Sequence, residues 1–288
     1  MITVPERPET PVKPSFTIPF RRDADFIERK NLLDQIHQRC LAPASRVALV
    51  GFGGVGKSQL AIEHAYRVQD ACLRQNQDIW AFWVHAGTRA RVEEGFQAIA
   101  DAVKISGRNQ PNANVLQLVY QWLQNEQNGQ WLMILDSADD INVFYSTDDE
   151  AAQTTGRAEK RPLWTYLPQS SNGSILVTTR YHDIAFRLIG SHNGIIDVGP
   201  MDQTHALALL ETKLEDESDM NATTELVKAL EYIPLAITQA AAYIQRMKPR
   251  SSIAKYLEAF WRSDRKKLSL LSTMLAIFGG IGPRQIRL

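Results

Sequence analysis

Cysteine is nearly missing from this chain. There are two in 288 residues, Cys40 and Cys72, far apart and without metal-type spacing. That excludes a disulfide scaffold, and two reduced thiols predict an intracellular, cytoplasmic protein. Net charge is missing as well, with 32 Lys and Arg against 32 Asp and Glu. A secretory signal is missing: the first 20 residues hold five prolines (Pro5, Pro8, Pro11, Pro14, Pro19) and no apolar segment. No membrane span is expected, because the longest apolar run, Leu268–Gly282, has 15 residues, short of the ~20 that a spanning helix needs. What is present is 44% hydrophobic, 22% charged and 8% aromatic. That composition belongs to soluble globular proteins and excludes a disordered chain or a collagen-like fibre. The length predicts about two domains at roughly 100–200 residues each.

The neutral total hides an asymmetry. From Arg246 onward there are ten basic and two acidic residues, against 22 basic and 30 acidic before it. A basic tail of this kind is read here as a solvated helical face or a partner surface, and nucleic acid is not expected to bind it.

Along the chain, residues 1–20 read as an extended leader. Helices are predicted over Asp25–Cys40, Ser58–Gln69, Val92–Ile105 and Val115–Glu126. Strands are predicted over Arg46–Val50, Asp78–His85, Gln130–Asp136, Ser174–Thr179 and Gly194–Val198. Strands alternating with helices imply a parallel sheet covered on both faces. Tyr145–Pro162 reads as an exposed loop. After Pro200 the pattern holds helices alone, over Thr204–Leu214, Ala222–Tyr232, Ala236–Met247 and Ile253–Arg262. The expected fold class is α/β, a parallel sheet over 21–198 followed by a small all-helical subdomain over 199–265. Residues 266–288 form a basic and apolar tail.

The sharpest motif is Gly51-Phe52-Gly53-Gly54-Val55-Gly56-Lys57-Ser58. It satisfies G-x-x-x-x-G-K-[ST] between a predicted strand and a predicted helix, which is the signature of a phosphate loop. Glycines let successive backbone N–H groups turn inward onto phosphate oxygens, and the following helix adds its positive end. The candidate phosphate-binding residues are Gly51, Gly53, Gly54, Val55, Gly56, Lys57, Ser58 and Gln59. Lys57 supplies a point cation for the β- and γ-phosphates, and the Ser58 hydroxyl a ligand for Mg²⁺. The same letters fit G-x-G-x-x-G, but a dinucleotide fold wants an acid at the end of the second strand. That strand ends Trp83-Val84-His85-Ala86-Gly87.

A second magnesium contact is expected from an acid ending a neighbouring buried strand. Trp131-Leu132-Met133-Ile134-Leu135-Asp136 supplies it. The next position, where many hydrolytic relatives of such sites hold a second acid, is Ser137. Asp139 and Asp140 follow as candidate catalytic bases at altered spacing, so hydrolysis is less secure than binding. Arg180, after Val177-Thr178-Thr179, is a candidate γ-phosphate sensor. Its other reading is a surface arginine paired with an acid such as Asp183.

In this order the motifs resemble the NB-ARC family, the nucleotide-binding switch of plant resistance proteins, apoptotic activators and NOD-like proteins, and look like its fungal members. The likeness runs from about Phe20 to about Ser272. Phe26-Ile27-Glu28-Arg29 resembles the motif that opens the family's domain. Ser174–Arg180 resembles its strand ending Thr-Thr-Arg. Val198-Gly199-Pro200-Met201 resembles the start of its helical part, and Glu231-Tyr232-Ile233-Pro234-Leu235-Ala236 its Gly-Leu-Pro-Leu-Ala motif. The resemblance implies ADP or ATP with Mg²⁺ held between the two domains, with Ile27, Arg29 and Pro234 near the adenine. It also implies a signalling role, as in innate-immunity-like responses, with self-association or sensor and effector partners.

Two departures stand out. Glu231 replaces the usual glycine, and the winged-helix part with its Met-His-Asp motif does not follow. A chain lacking that part is expected to hold nucleotide loosely. Three alternatives remain: an ATP-hydrolysing enzyme of another class, a nucleic-acid-binding ATPase using the basic tail, and an inert scaffold with a vestigial loop.

Overall fold

A computed structural model of the chain describes residues 13–146, 161–214, 219–248 and 250–262. Most of the Tyr145–Pro162 loop (147–160) and the whole 266–288 tail therefore lie outside the described residues. The described chain divides into two compact units. The first takes 13–23, 30–51 and 57–198; the second takes 24–29, 52–56 and the residues from 199 onward.

The first unit is an α/β unit. Its strands are β1 (Arg46–Val50), β2 (Ile79–His85), β3 (Gln130–Asp136), β4 (Gly173–Thr179) and β5 (Ile195–Asp197). They form one sheet in the order β2-β3-β4-β1-β5, and every pairing is parallel. Its helices are α1 (Lys30–Cys40), α2 (Lys57–Arg74), α3 (Arg89–Ala102), α4 (Val115–Gln124), α5 (Ile141–Tyr145) and α6 (His182–Ile189). Near-continuous apolar runs such as Trp131–Leu135 form the central strands, as a sheet covered on both faces requires. Alternate residues point to opposite faces. Ala48, Phe82, Met133 and Ile175 join one core with Phe96, Val119, Phe144 and Leu188 from α3 to α6. Helices α1 and α2 also pack against the strands.

The prolines before residue 20 do not leave the chain detached. Ala81 of the edge strand β2 accepts the Thr17 amide at 2.9 Å and donates to the Ser15 carbonyl at 3.3 Å. Arg22 then grips α2 through Glu63, at 2.7 Å and 2.9 Å, and through Asp70 at 2.9 Å.

Among its described residues the second unit holds four helices, α7 (Gln203–Lys213), α8 (Met220–Ala229), α9 (Pro234–Arg246) and α10 (Ile253–Trp261). Asp202, Asp219 and Ser252 cap α7, α8 and α10 through their side chains, and Pro234 occupies the first turn of α9. Leu210, Leu226, Ile237, Ile244 and Leu257 form its core.

Most element ends fall within a few residues of expectation. The clear exceptions are α2, which runs to Arg74 and not to Gln69, and α1, which begins at Lys30 and not at Asp25. Residues 24–29 cluster with the second unit, where Ile27 packs against the helical core. The Arg29 guanidinium bonds three carbonyls there, and an extended path suits those contacts better than a helix. Helix α3 starts earlier than the apolar period suggests because Thr88 caps it. Cys40 and Cys72 are free thiols, and burial pushes the Cys40 thiol up to about 12. Among the described residues no helix is long and apolar enough to cross a membrane.

Candidate functional site

The loop 51–56 joins β1 to α2, so the sheet presents it at the carboxyl end of a strand and the amino end of a helix. Gly54 and Gly56 have φ of +87° and +95°, a region that side-chain-bearing residues rarely adopt. Gly54 is also pressed from outside: a Cβ there would lie 3.1 Å from Leu235 Cβ. The Leu235 amide donates to the Gly54 carbonyl at 3.1 Å. Both residues belong to the second unit, with Pro234, whose Cγ lies 4.0 Å from where a Gly56 Cβ would stand.

Arg29, expected near adenine, bonds backbone carbonyls of its own unit. Its guanidinium donates to the carbonyls of Val55 at 3.3 Å and of Gly199 and Pro200 at 3.0 Å. Burial lowers its pKa, against the pull of Asp202. Ile27, Arg29, Pro234 and loop residues 52–56 thus fall in one unit. Gln59 is exposed in the first turn of α2.

Lys57, Ser58 and Asp136 belong to the first unit. Lys57 opens α2 and donates from Nζ to the Gly51 carbonyl at 2.7 Å. Burial pulls its ammonium below the ordinary value. The carboxylates of Asp139 and Asp136 oppose that shift, and Arg180 adds to it. Ser58 donates from Oγ to Asp136 Oδ1 at 2.6 Å, although 78 positions separate them. Asp136 ends β3, is 8% exposed, and also accepts Thr178 Oγ1 at 2.7 Å.

Thr178 is the residue that sequence reasoning left without a role. Its hydroxyl is held in turn by the Ser137 amide at 2.9 Å, which fixes Ser137 at φ +61°. The available signal was a pair of threonines, Thr178 and Thr179, closing the apolar run Ile175–Val177 of β4. A hydroxyl and a carboxylate with converging oxygens suit a hard cation such as Mg²⁺, which is commonly held by one or two carboxylates together with substrate phosphates. The residues present therefore fit that ion.

The candidate bases have other engagements. Asp139 Oδ2 lies 3.0 Å from Arg180 Nε, and its Oδ1 accepts the Arg180 amide at 2.8 Å and Thr179 Oγ1 at 3.3 Å. Arg180 is therefore paired with an acid, and the acid is Asp139, not Asp183. Asp140 Oδ1 accepts the Asn142 amide at 2.9 Å and caps α5.

No protein-family model matches the chain. A nucleotide-binding leucine-rich repeat (NLR)-like protein of Hyaloscypha variabilis is 36% identical over 269 residues, covering 89% of this chain and 26% of the relative. The chain thus spans about a quarter of that relative's length. Among solved structures, the Walker-type ATPase PABY2304 of Pyrococcus abyssi aligns with a TM-score of 0.57 at 13% identity, over 90% of this chain and 78% of that one. This chain has the fold of the P-loop ATPases. The Aeropyrum pernix ORC1 protein, solved in complex with DNA, is similar at a TM-score of 0.54 and 17% identity, over 85% of this chain and 68% of its own. In that fold Gly51–Ser58 runs from the end of β1 into α2, and Asp136 ends β3.

Proposed function

We propose that this chain is an adenine-nucleotide-binding module of NB-ARC type, a nucleotide-dependent switch in intracellular signalling. One observation carries the reading: the 2.6 Å bond between Ser58 Oγ and Asp136 Oδ1. It unites two Mg²⁺ ligands that the sequence places far apart, in a strand-and-helix frame made for phosphate. The relative, named as a nucleotide-binding NLR-like protein, supports nucleotide binding, and the motif order supports NB-ARC and with it the signalling role.

Mg²⁺, when bound, screens the phosphate charge. The chain's own residues do the rest. The glycine backbone curls N–H groups toward the phosphates, and Lys57 leaves the Gly51 carbonyl for a phosphate oxygen. Ser58 and Asp136 would hold the cation, and Thr178 and Ser137 hold the Asp136 carboxylate in place through their hydroxyls. Arg180 is the residue that distinguishes a triphosphate from a diphosphate, by exchanging Asp139 for the γ-phosphate. Hydrolysis is the weaker reading, because Asp139 is committed to Arg180 and Asp140 to a helix cap. Lys57, Arg180, Asp136, Ile27 and Pro234 are the positions on which the proposal depends.

Equilibrium titration with labelled ADP and ATP, in the presence of Mg²⁺, tests it. Lys57→Ala should weaken binding about tenfold or more, since a charge-assisted contact contributes about 1.5–3 kcal/mol. Equal affinity in both proteins would sink the reading.

A further inference from the structure

Arg46 opens β1, the strand whose other end leads into the phosphate loop. Four residue steps at about 3.3 Å separate Arg46 from Val50, so its surroundings are not those of the loop. Its guanidinium is held by carbonyls alone: Nη1 donates to Leu188 at 3.0 Å, and Nη2 to Leu167 at 2.8 Å and Pro168 at 3.2 Å. The Nε–H is buried with no hydrogen-bond partner. Among the described residues no carboxylate pairs with it. Burial lowers its pKa, opposed only by the phenols of Tyr145 and Tyr120. A desolvated cation held by neutral dipoles is costly without an anion nearby.

A hollow of about 310 Å³ adjoins this guanidinium. Among the described residues its lining includes Arg46, Tyr145, Trp164, Gln169 and Arg187, with two cations and no acid. Both arginines lie within electrostatic reach of the Tyr145 hydroxyl, which donates to the Arg187 carbonyl at 2.8 Å. The Tyr145 and Trp164 rings stack 5.8 Å apart and 19° from parallel, and Trp164 is 45% exposed. The wall is flat and apolar, and among the described residues the charge lining the hollow is positive, with no carboxylate beside it.

We propose that this hollow is a second ligand site, taking a small aromatic carboxylate whose oxyanion meets Arg46 and Arg187 and whose ring lies along Trp164. A guanidinium fork matches a planar carboxylate, an aromatic wall favours a flat partner, and the volume suits a single-ring compound. No observation at the phosphate loop enters this argument, so the two proposals fail independently.

The test is calorimetric titration of the full chain at fixed ionic strength with benzoate, acetate and inorganic phosphate. Benzoate should bind at least about tenfold more tightly than acetate, which lacks the ring, and than phosphate. Lys57→Ala should leave benzoate binding unchanged. Arg187→Gln should weaken it about tenfold, the scale of one charged hydrogen bond, and Trp164→Ala should weaken it similarly. Both variants sit at exposed positions and spare the carbonyl bonds of Arg46, whose own replacement risks misfolding. No benzoate heat up to about 10 mM, the edge of useful affinity, would overturn the proposal. So would acetate binding equal to benzoate, benzoate binding indifferent to both variants, or benzoate binding lost in Lys57→Ala.

Discussion

Asp139 holds Arg180 at two points, through the backbone amide at 2.8 Å and through the guanidinium Nε at 3.0 Å. The pair is partly exposed, with side-chain accessibilities of 28% and 58%, so it stabilises the fold by little. Its effect is on availability: the arginine that would meet a γ-phosphate is engaged by an internal carboxylate. Asp139→Asn weakens that competition and should raise the ATP-to-ADP affinity ratio by about threefold to tenfold, within the range of typical coupling energies. Arg180→Ala should lower the same ratio by a similar factor. Competition titrations with the two nucleotides read both, and a ratio unmoved in either variant would remove Arg180 from any sensing role.

Glu231 and Tyr232 adopt φ of +52° and +57°, in the turn that leads from α8 into α9. The left-handed region costs a side-chain-bearing residue roughly 1–2 kcal/mol. Glu231→Gly relieves that cost but adds freedom to the unfolded chain, worth about 0.5–1 kcal/mol. The net expectation is a gain of roughly 0.5–1 kcal/mol, read as a higher urea midpoint with unchanged slope. Glu225→Gly, within α8, is the control and should cost about 1 kcal/mol. If both glycines destabilise equally, the turn is not strained.

These turn residues show where sequence reading succeeds and where it stops. Glu231 looked like a departure from a glycine-led motif, yet its backbone takes the conformation for which glycine is suited. The departure was in composition, not in shape. The parallel sheet was legible because Val47–Val50, Trp131–Leu135 and Ile175–Val177 are apolar runs punctuated by helix-length amphipathic stretches. The phosphate loop was legible because its spacing is a backbone requirement. The engagements of Asp139 and Arg29 were not legible. They depend on which oxygen or nitrogen a segment far along the chain brings close, which no local pattern encodes. The Asp140 cap, by contrast, reaches only two residues on and was overlooked as a local Asp-led helix start.

His64 lies on the buried face of α2 at 1% exposure. Burial chiefly, helped by His37 and Arg67, pulls its pKa from 6.5 to about 3. The neutral ring is therefore the folded form. Below pH 6.5 the unfolded chain takes up a proton that the folded chain refuses, so stability falls with falling pH until about pH 3. The slope from one such group is about 1.4 kcal/mol per pH unit. Between pH 7 and pH 5 the protein should lose about 2 kcal/mol through this residue. His64→Leu should remove that part of the loss. Urea denaturation of both proteins at the two pH values checks it, and parallel declines would refute it.

Gly173 starts β4 directly opposite Trp131 of β3. A Cβ at this position would lie 1.9 Å from Trp131 Cε2. The indole has nowhere to go, being 2% exposed and tied by Nε1 to the Leu123 carbonyl at 2.9 Å. Gly173→Ala should destabilise the protein by about 3 kcal/mol, the upper end for overpacking a core. A change under about 0.5 kcal/mol, typical of a surface site, would mean the strand shifts freely there.

The short stretch Ser15–Thr17, bonded along the outer side of β2, acts as a built-in cover. A fragment started after residue 20 would present that strand margin bare, and bare margins recruit other polypeptides. Clumping by such a fragment would report a lost cap, so a search for nucleotide-driven assembly is best interpreted with proteins that keep this stretch.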